Sequence, residues 1–309
     1  MNAAILIPAY NATATLKETL DSIANQTRDG LAKISRVVVA DDGSSDSTAS
    51  LAERSWRMES PRIEVWRAEK NQGERKTCND AFKRLENEGT VWCYVLHADD
   101  VAKPHWLASI SAIAEASTTR LTSVCSSWDN WYADGTIIPG EDDPGRAVEF
   151  IEGKSENAGN TLRLGCWWHF SGCAMHLPRF FEAGAFDEMM PQLGDLEWVI
   201  RCLLSGHEIA YLPRTLIKYR AHAGSVSSAS FRMNRDFSES RRIYDRFRGD
   251  QRLAVALRQF LKIRARHSLR RCLGHAARGR FVQAAHVIEW VAYFSASWCK
   301  EQQWYTPWK

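Results

Sequence analysis

The sequence predicts an α/β fold, a mainly parallel sheet with helices on both faces, continued by an α-helical C-terminal extension. Three observations predict it. The first hundred residues alternate short apolar runs with longer stretches of helical spacing. The connections between them are short, as in chains that pass from strand to helix and back to a parallel strand. From about Phe231 onward the pattern is helical throughout, with few Gly or Pro to interrupt it.

In order, the apolar runs Ala3–Pro8, Ile34–Ala40, Arg62–Trp66 and Val91–Leu96 read as strands. Helical patterns occupy Ala12–Gln26, Asp46–Trp56 and Glu74–Glu88, the second opened by Ser, Asp and Thr residues suited to an N-cap. Residues 133–160 carry Asp134-Gly135, Pro139-Gly140 and Asp143-Pro144-Gly145, and read as a turn-rich segment. Order returns at Trp167–Met175. A helix follows at Asp195–Leu204, then two strand-like runs at Glu208–Leu212 and Thr215–Tyr219.

The 309 residues suffice for one large domain with an appendage, or for two small ones. A charged fraction of 25% and an apolar fraction of 45% are those of a soluble globular chain. The net charge of +3 hides an asymmetry: residues 231–309 hold 17 Lys and Arg against 6 Asp and Glu. A basic surface near the C-terminus is expected, able to meet an anionic partner. The eight cysteines form no C-x-x-C pair, so neither a zinc ribbon nor a dense disulfide framework is expected. Ala3–Pro8 is too short for a signal peptide, and no run approaches the ~20 apolar residues of a membrane span. The expected location is cytoplasmic.

Two acidic clusters each follow an apolar strand, where open α/β sheets bind their ligands. Asp41-Asp42-Gly43-Ser44-Ser45-Asp46-Ser47-Thr48 ends the second strand. A carboxylate there can accept a hydrogen bond from a nucleotide base, and Gly43 admits close backbone approach; a plain helix-capping turn reads equally well. His97-Ala98-Asp99-Asp100 ends the fourth strand. Adjacent carboxylates repel one another unless a cation joins them, and hard oxygen ligands beside a phosphate suit Mg²⁺ or Mn²⁺. His97 reads either as a further ligand or as a ring packed on the strand end.

With Pro8-Ala9-Tyr10-Asn11 after the first strand, these clusters resemble the family 2 glycosyltransferases of the GT-A fold. Four more stretches extend the resemblance in the family's order. They are Asn71-Gln72-Gly73 with Asn79; Ser171-Gly172-Cys173 with Gly184-Ala185-Phe186-Asp187-Glu188; Gly194-Asp195-Leu196-Glu197-Trp198 leading to Arg201; and Lys218-Tyr219-Arg220-Ala221-His222 leading to Ser225 and Ser227. The resemblance runs from residue 3 to about 228. It implies a catalytic unit over residues 1–230, with a nucleotide-binding half at 1–100 and an acceptor-side half at 101–230. Residues 231–309 form the extension.

The resemblance also implies an activity: inverting transfer of a sugar from a nucleotide diphosphate sugar, UDP-sugar favoured, using Mn²⁺ or Mg²⁺. The acceptor would be a saccharide or a lipid-linked saccharide in surface polysaccharide or glycolipid synthesis. Position by position, Asp42 would bond the base with Pro8 and Tyr10 around it, and Asn71 and Gly73 fall in the donor-binding set. Asp99 and Asp100 match the acids that hold diphosphate and metal, with Asp100 chosen as the direct metal ligand and His222 touching the diphosphate or the metal. Asp195 falls on the catalytic base, which inverting transfer needs to take the acceptor's hydroxyl proton. Capping of its own helix is the bland reading for Asp195. The sequence departs from the family at His97, where Asp is common, at Gly194, where Glu is common, and at Cys78, where Arg is common. Arg75 or Lys76 offers a cation one turn earlier.

Trp128, Trp131, Trp167 and Trp168 read equally as a sugar-stacking wall or as core aromatics. The arginine-rich C-terminal helices read either as a peripheral membrane contact, which would place the protein at the inner face of a membrane, or as a layer packed on the catalytic unit. Nucleic acid is not expected, since no recognised motif accompanies the charge. A dinucleotide oxidoreductase would show G-x-G-x-x-G after the first strand, where this chain has Pro8-Ala9-Tyr10-Asn11. A nucleotidyltransferase would need a glycine-rich basic loop there. A non-catalytic scaffold of the same fold is the remaining alternative.

Overall fold

The computed structural model describes residues 2–116, 120–222 and 230–303. In chain order the N-terminal elements are β1 (Ala3–Ala9), α1 (Leu16–Ala24), α2 (Arg28–Leu31), β2 (Ile34–Asp41), α3 (Thr48–Ser55), β3 (Arg62–Arg67), α4 (Glu74–Asn87) and β4 (Trp92–Val95). The middle of the chain gives β5 (Val101–Ala102), α5 (Trp106–Glu115), β6 (Leu121–Tyr132), β7 (Ile137–Ile138), β8 (Glu149–Ile151) and α6 (Ser155–Leu164). Then come β9 (Ala174–His176), α7 (Leu177–Glu182), α8 (Gly194–Leu204) and β10 (Glu208–Ala221). Three long helices close the described chain: α9 (Arg235–Phe247), α10 (Ala254–Ala276) and α11 (Phe281–Gln303).

One sheet runs in the order β3-β2-β1-β4-β9-β6-β10-β5, with β7 on β6 and β8 on β10. β1, β2, β3 and β4 pair in parallel, as do β6 and β10. The short β9 joins the two parallel blocks by antiparallel pairing with both β4 and β6. β1 is buried along its whole length, and its alternate side chains enter two different cores. Ala3, Ile5 and Ile7 pack with Leu16 and Leu20 of α1, Ala52 of α3 and Trp106 of α5. Ala4 and Leu6 pack with Phe82 of α4, Phe180 of α7 and Trp198 of α8. Helices therefore cover both faces, as expected. Full burial of each large aliphatic or aromatic side chain stabilises the sheet by roughly 1.5–3 kcal/mol.

The structure departs from the expected elements in four places. α5 and β6 were not legible as elements. β6 lies inside the sheet yet carries Thr122, Ser123, Ser126 and Ser127, all buried, which hides its strand character from a hydrophobicity reading. The two runs at Glu208–Leu212 and Thr215–Tyr219 are one strand, β10. Pro213 lacks an N–H, and the register with β6 shifts between Leu212 and Thr215 to pass it. Of Trp167–Met175 only the end is strand, because Gly172 turns the chain at φ +89° and packs so close to Ile217 that a Cβ would stand 2.3 Å from its Cγ1. The turn-rich segment ends before residue 160, since α6 starts at Ser155.

The C-terminal helices do not stand apart. Phe237 and Ile243 of α9, Leu257 and Phe260 of α10, and Val287 and Phe294 of α11 join the core that contains α4 and α8. All eight cysteines are free thiols, five of them buried. No helix among the described residues is long and apolar enough to cross a membrane.

Candidate active site

A cleft of about 700 Å³ opens at the carboxyl ends of β1, β2 and β4. Pro8, Tyr10, Asp42, Asn71, Gly73, Asp99, Asp195 and His222 all line it. Residues as far apart in the chain as Pro8 and His222 meet in one cavity.

The first wall is two interlocked loops. Asn11 donates its N–H to Ser44 Oγ at 2.9 Å, and its own Oδ1 accepts the N–H of Ser45 at 2.9 Å. Ala12 N–H bonds Thr48 Oγ1 at 2.8 Å. The Pro8–Asn11 turn is thus fastened to the loop after β2. Gly43 sits at φ +68°, and a Cβ there would stand 2.5 Å from the Lys70 carbonyl carbon, so only glycine lets the next loop approach. Asp42 completes the joint. Its Oδ1 accepts the Gln72 N–H at 2.8 Å and the Thr77 hydroxyl at 2.9 Å, and its Oδ2 accepts the Gly73 N–H at 2.9 Å. Asp42 therefore holds the Asn71–Gly73 loop against α4, a duty the sequence did not suggest, and only its remaining lone pairs are open to a ligand.

The second wall is the turn after β4. Asp99 and Asp100 do not share an environment. Asp99 faces the cleft, and its Oδ2 lies 2.9 Å from His222 Nε2. Asp100 is fully buried behind it and is absent from the cleft wall. Its Oδ1 accepts the Arg220 N–H at 2.9 Å, while Oδ2 has no hydrogen-bond partner among the described residues. Burial, reinforced by the Asp99 charge, pushes the Asp100 carboxyl up to about 7. On sequence Asp100 was chosen to meet the metal directly; the structure puts Asp99, not Asp100, on the cleft wall, because β10 lays its backbone over Asp100. His97 stacks edge-on against Phe170 at 5.5 Å, with Nε2 3.6 Å from Glu74 Oε1. Burial opposes its protonation, but Glu74, Asp100 and Asp99 outweigh that and raise its pKa. One ligand atom from each of His97, Asp99 and Asp100 falls within 4.8 Å of the others.

The third wall carries Asp195, in the first turn of α8. The residue before that helix is Leu193, with no side-chain cap, so Asp195 does not cap its own helix. Its carboxylate instead pairs with Arg75, a residue buried between Phe170 and Phe186, 5.2 and 4.9 Å from the ring centroids. Burial works against the Arg75 charge, but Asp195 and Glu74 more than compensate and raise its pKa. Cys78, the position where the family commonly has Arg, is fully buried.

Other motif residues hold the walls together. Asn79 exchanges two hydrogen bonds with the Phe186 backbone, at 2.9 and 3.1 Å. Arg201 donates to the carbonyls of Ala183, Gly184 and Ala185 at 2.6–2.9 Å and pairs with Glu197. The part of the last motif beyond His222, with Ser225 and Ser227, lies outside the described residues. Of the four tryptophans read as a sugar wall, Trp168 is buried in the core, and none of the four lines this cleft. Trp128 stacks at 4.6 Å on His169, which does line it. Burial lowers the His169 pKa to about 4, against the hydrogen bond to the Ser171 carbonyl at 2.8 Å. A carbonyl can only accept, so Nδ1 carries the proton and Nε2 is the basic nitrogen.

Sequence reasoning missed three contributors. His169 lies in none of the motifs quoted from the sequence. Arg235 enters the cleft from α9. Glu239, also on α9, accepts the N–H groups of Gln192 and Leu193 at 3.0 and 2.6 Å, immediately before the Asp195 helix. No motif marks either α9 residue.

This sheet and cleft are those of a GT-A glycosyltransferase fold. The chain is similar to S. aureus TarS, with a TM-score of 0.63 at 18% identity over 97% of this chain and 54% of that one. TarS 1–349 in complex with UDP-GlcNAc is similar at a TM-score of 0.57 and 18% identity, over 94% of this chain and 91% of that one. GalNAc-T7 with UDP, GalNAc and Mn²⁺ is similar at 0.60 and 15%, over 87% of this chain and 51% of that one. At these identities the likeness establishes the fold. The model of glycosyl transferase family 2 matches residues 4–175, more than half of the chain, and the chain belongs to that family. A Haemophilus influenzae protein described as an uncharacterized glycosyltransferase is 30% identical over 111 residues, 36% of this chain. The chain covers 32% of that relative's length.

Proposed function

We propose that this glycosyltransferase moves a sugar from a nucleotide diphosphate sugar, UDP-sugar favoured, to an acceptor hydroxyl with inversion at the anomeric carbon. The observation that carries the reading is the convergence of Asp42, Asp99, His222 and Asp195 on one cleft. Asp42 and the loop it holds would face the base, with Pro8 and Tyr10 beside it. Asn71 and Gly73 complete that pocket. Complexes of TarS 1–349 with UDP-GlcNAc and with UDP support this choice of donor.

The donor set around Asp99 fits a hard divalent cation, Mn²⁺ or Mg²⁺. Asp99 and His222 offer a carboxylate and an imidazole at the cleft surface, and behind them Asp100 Oδ2 and His97 Nε2 are buried polar atoms without hydrogen-bond partners. Asp99 and His222 would hold the ion at the cleft surface, with Asp100, the ligand chosen on sequence, behind them. When bound, such an ion neutralises charge that grows on a departing diphosphate. The Mn²⁺ in the GalNAc-T7 structure supports the assignment.

Asp195 would accept the proton of the attacking hydroxyl. Its position is fixed by Arg75 from one side and by Glu239, through the peptide groups before α8, from the other. Inversion follows from one base and one direct displacement, with no covalent sugar on the protein. The acceptor would be a saccharide or a lipid-linked saccharide of surface polysaccharide or glycolipid synthesis. In this scheme residues 1–230 are the catalytic unit and 231–309 a helical extension that lends Arg235 and Glu239 to it.

Turnover of a panel of UDP-sugars with Mn²⁺ or Mg²⁺ tests the proposal, with Asp195→Asn as control. The substitution should keep donor affinity and cut transfer about 10²–10⁴-fold. A scaffold protein of the same fold, the alternative that His97 and Gly194 leave in play, would bind donor without turnover in either form.

A further inference from the structure

We propose that the hairpin of α10 and α11 docks on an anionic lipid bilayer through its tip. From Gln251 to Ile288 the sequence holds eight Arg and one Lys and not a single Asp or Glu. The same stretch leaves bulky apolar side chains in water: Leu269 is 46% exposed, Leu273 59%, Phe281 70%, Val282 67% and Ile288 59%. Either feature alone is ordinary. Together, on one hairpin, they match the two components of an interfacial surface, apolar area to bury and cations for lipid phosphates.

The geometry of α11 separates the two sides. Ala284, Val287 and Phe294 are buried, whereas Phe281, Ala285, Ile288 and Ala292 are exposed at spacings of four, three and four, one outward stripe. The turn between the helices is closed by Gly279 N–H to Ala276 O and Arg280 N–H to His275 O, each 2.9 Å, which sets Arg278 and Arg280 beside Phe281. No ion pair among the described residues engages Arg266, Arg270, Arg278 or Arg280. Arg271 binds Asp236 at 2.8 Å and anchors α10 to α9. Arg278 and Arg280 thus sit in the turn itself, while Arg271, one turn short of it, ties the end of α10 to the start of α9.

A bilayer fits better than the other polyanions. Nucleic acid would satisfy the arginines but leave Phe281 and Val282 in water. Pairing of two hairpin tips from separate copies would cover the apolar stripe but bring two acid-free basic surfaces together. No helix among the described residues can cross the membrane, so the hairpin would lie on it. The inference stands on the hairpin alone and holds whatever the cleft transfers.

Flotation of the full chain with phosphatidylcholine vesicles, with and without about 30% phosphatidylglycerol, tests it. The protein should float only with the anionic vesicles, and less as salt rises from 0.15 to 0.5 M in the usual screening manner. Two double variants, Phe281→Ser with Val282→Ser and Arg278→Glu with Arg280→Glu, should each weaken flotation about tenfold or more while the thermal midpoint stays within a degree or two. Three results would overturn the proposal: no flotation with anionic vesicles, flotation of the apolar variant equal to that of the parent, or duplex DNA binding that needs Arg278 and Arg280 without vesicle binding. Self-association abolished by the apolar variant, with vesicle binding absent, would assign the surface to a second copy instead.

Discussion

His222 Nε2 stands 2.9 Å from Asp99 Oδ2 across 123 residues of sequence. The contact closes the end of β10 over the turn after β4, and it joins the imidazole and the carboxylate that face the cleft.

If these two groups hold the cation, Asp99→Asn and His222→Ala should each remove most of the Mn²⁺-dependent part of donor binding in calorimetry. Asp100→Asn keeps an acceptor for the Arg220 N–H and should leave part of that dependence intact. The reverse order of effects would make Asp100 the direct ligand.

Glu239 accepts two backbone N–H groups ahead of α8 from a helix outside the matched family region. Bonds to a charged acceptor contribute about 1.5–3 kcal/mol each. Glu239→Ala should lower the unfolding free energy by about 3 kcal/mol or more and reduce kcat, because Asp195 lies two residues beyond Leu193. Donor affinity should change little. An unchanged kcat would leave Glu239 with a structural duty only.

Asp42→Ala removes the acceptor of three hydrogen bonds that fix the Asn71–Gly73 loop. Donor KM should rise at least tenfold, an amount equivalent to about 1.4 kcal/mol. Thr77→Val removes only one of the three bonds and should have the smaller effect. Equal effects from both would show that the hydroxyl, not the carboxylate, organises the loop.

The pKa of His169 is lowered to about 4 from the ordinary 6.5, chiefly by burial. The folded protein then binds fewer protons on this ring than the unfolded chain between about pH 4 and 6.5, so its contribution falls as pH falls through that window. Asp100 titrates with the opposite sign, its raised carboxyl favouring the folded state as pH falls. A comparison with His169→Gln isolates the ring. The wild type should lose stability relative to that variant between pH 6.5 and 4 by up to about 3 kcal/mol, read from urea midpoints. Parallel curves would place the ring in a solvated setting.

Most of the first hundred residues was legible because each element there is locally consistent. β1 and β2 are continuous apolar runs, and α4 has one clear buried face. The acidic clusters stood out because carboxylates at strand ends are costly without a ligand or a donor. β6 was not legible, since its buried serines and threonines are hydrogen-bonded by partners such as Trp168, whose Nε1 lies 2.9 Å from Ser123 Oγ. Such partners come from elsewhere in the chain and leave no local signal.

By itself the sequence determined the parallel half-sheet, the order of the motifs and which acids are available. Only the tertiary structure decided that Asp99 faces the cleft while Asp100 is covered, that Asp42 clasps a loop, and that α9 reaches back to the peptide groups of Gln192 and Leu193 just before α8. The physical reason is range: strand and helix preferences are written in neighbouring residues, whereas the exposure and charge of a carboxylate depend on whatever the fold brings against it.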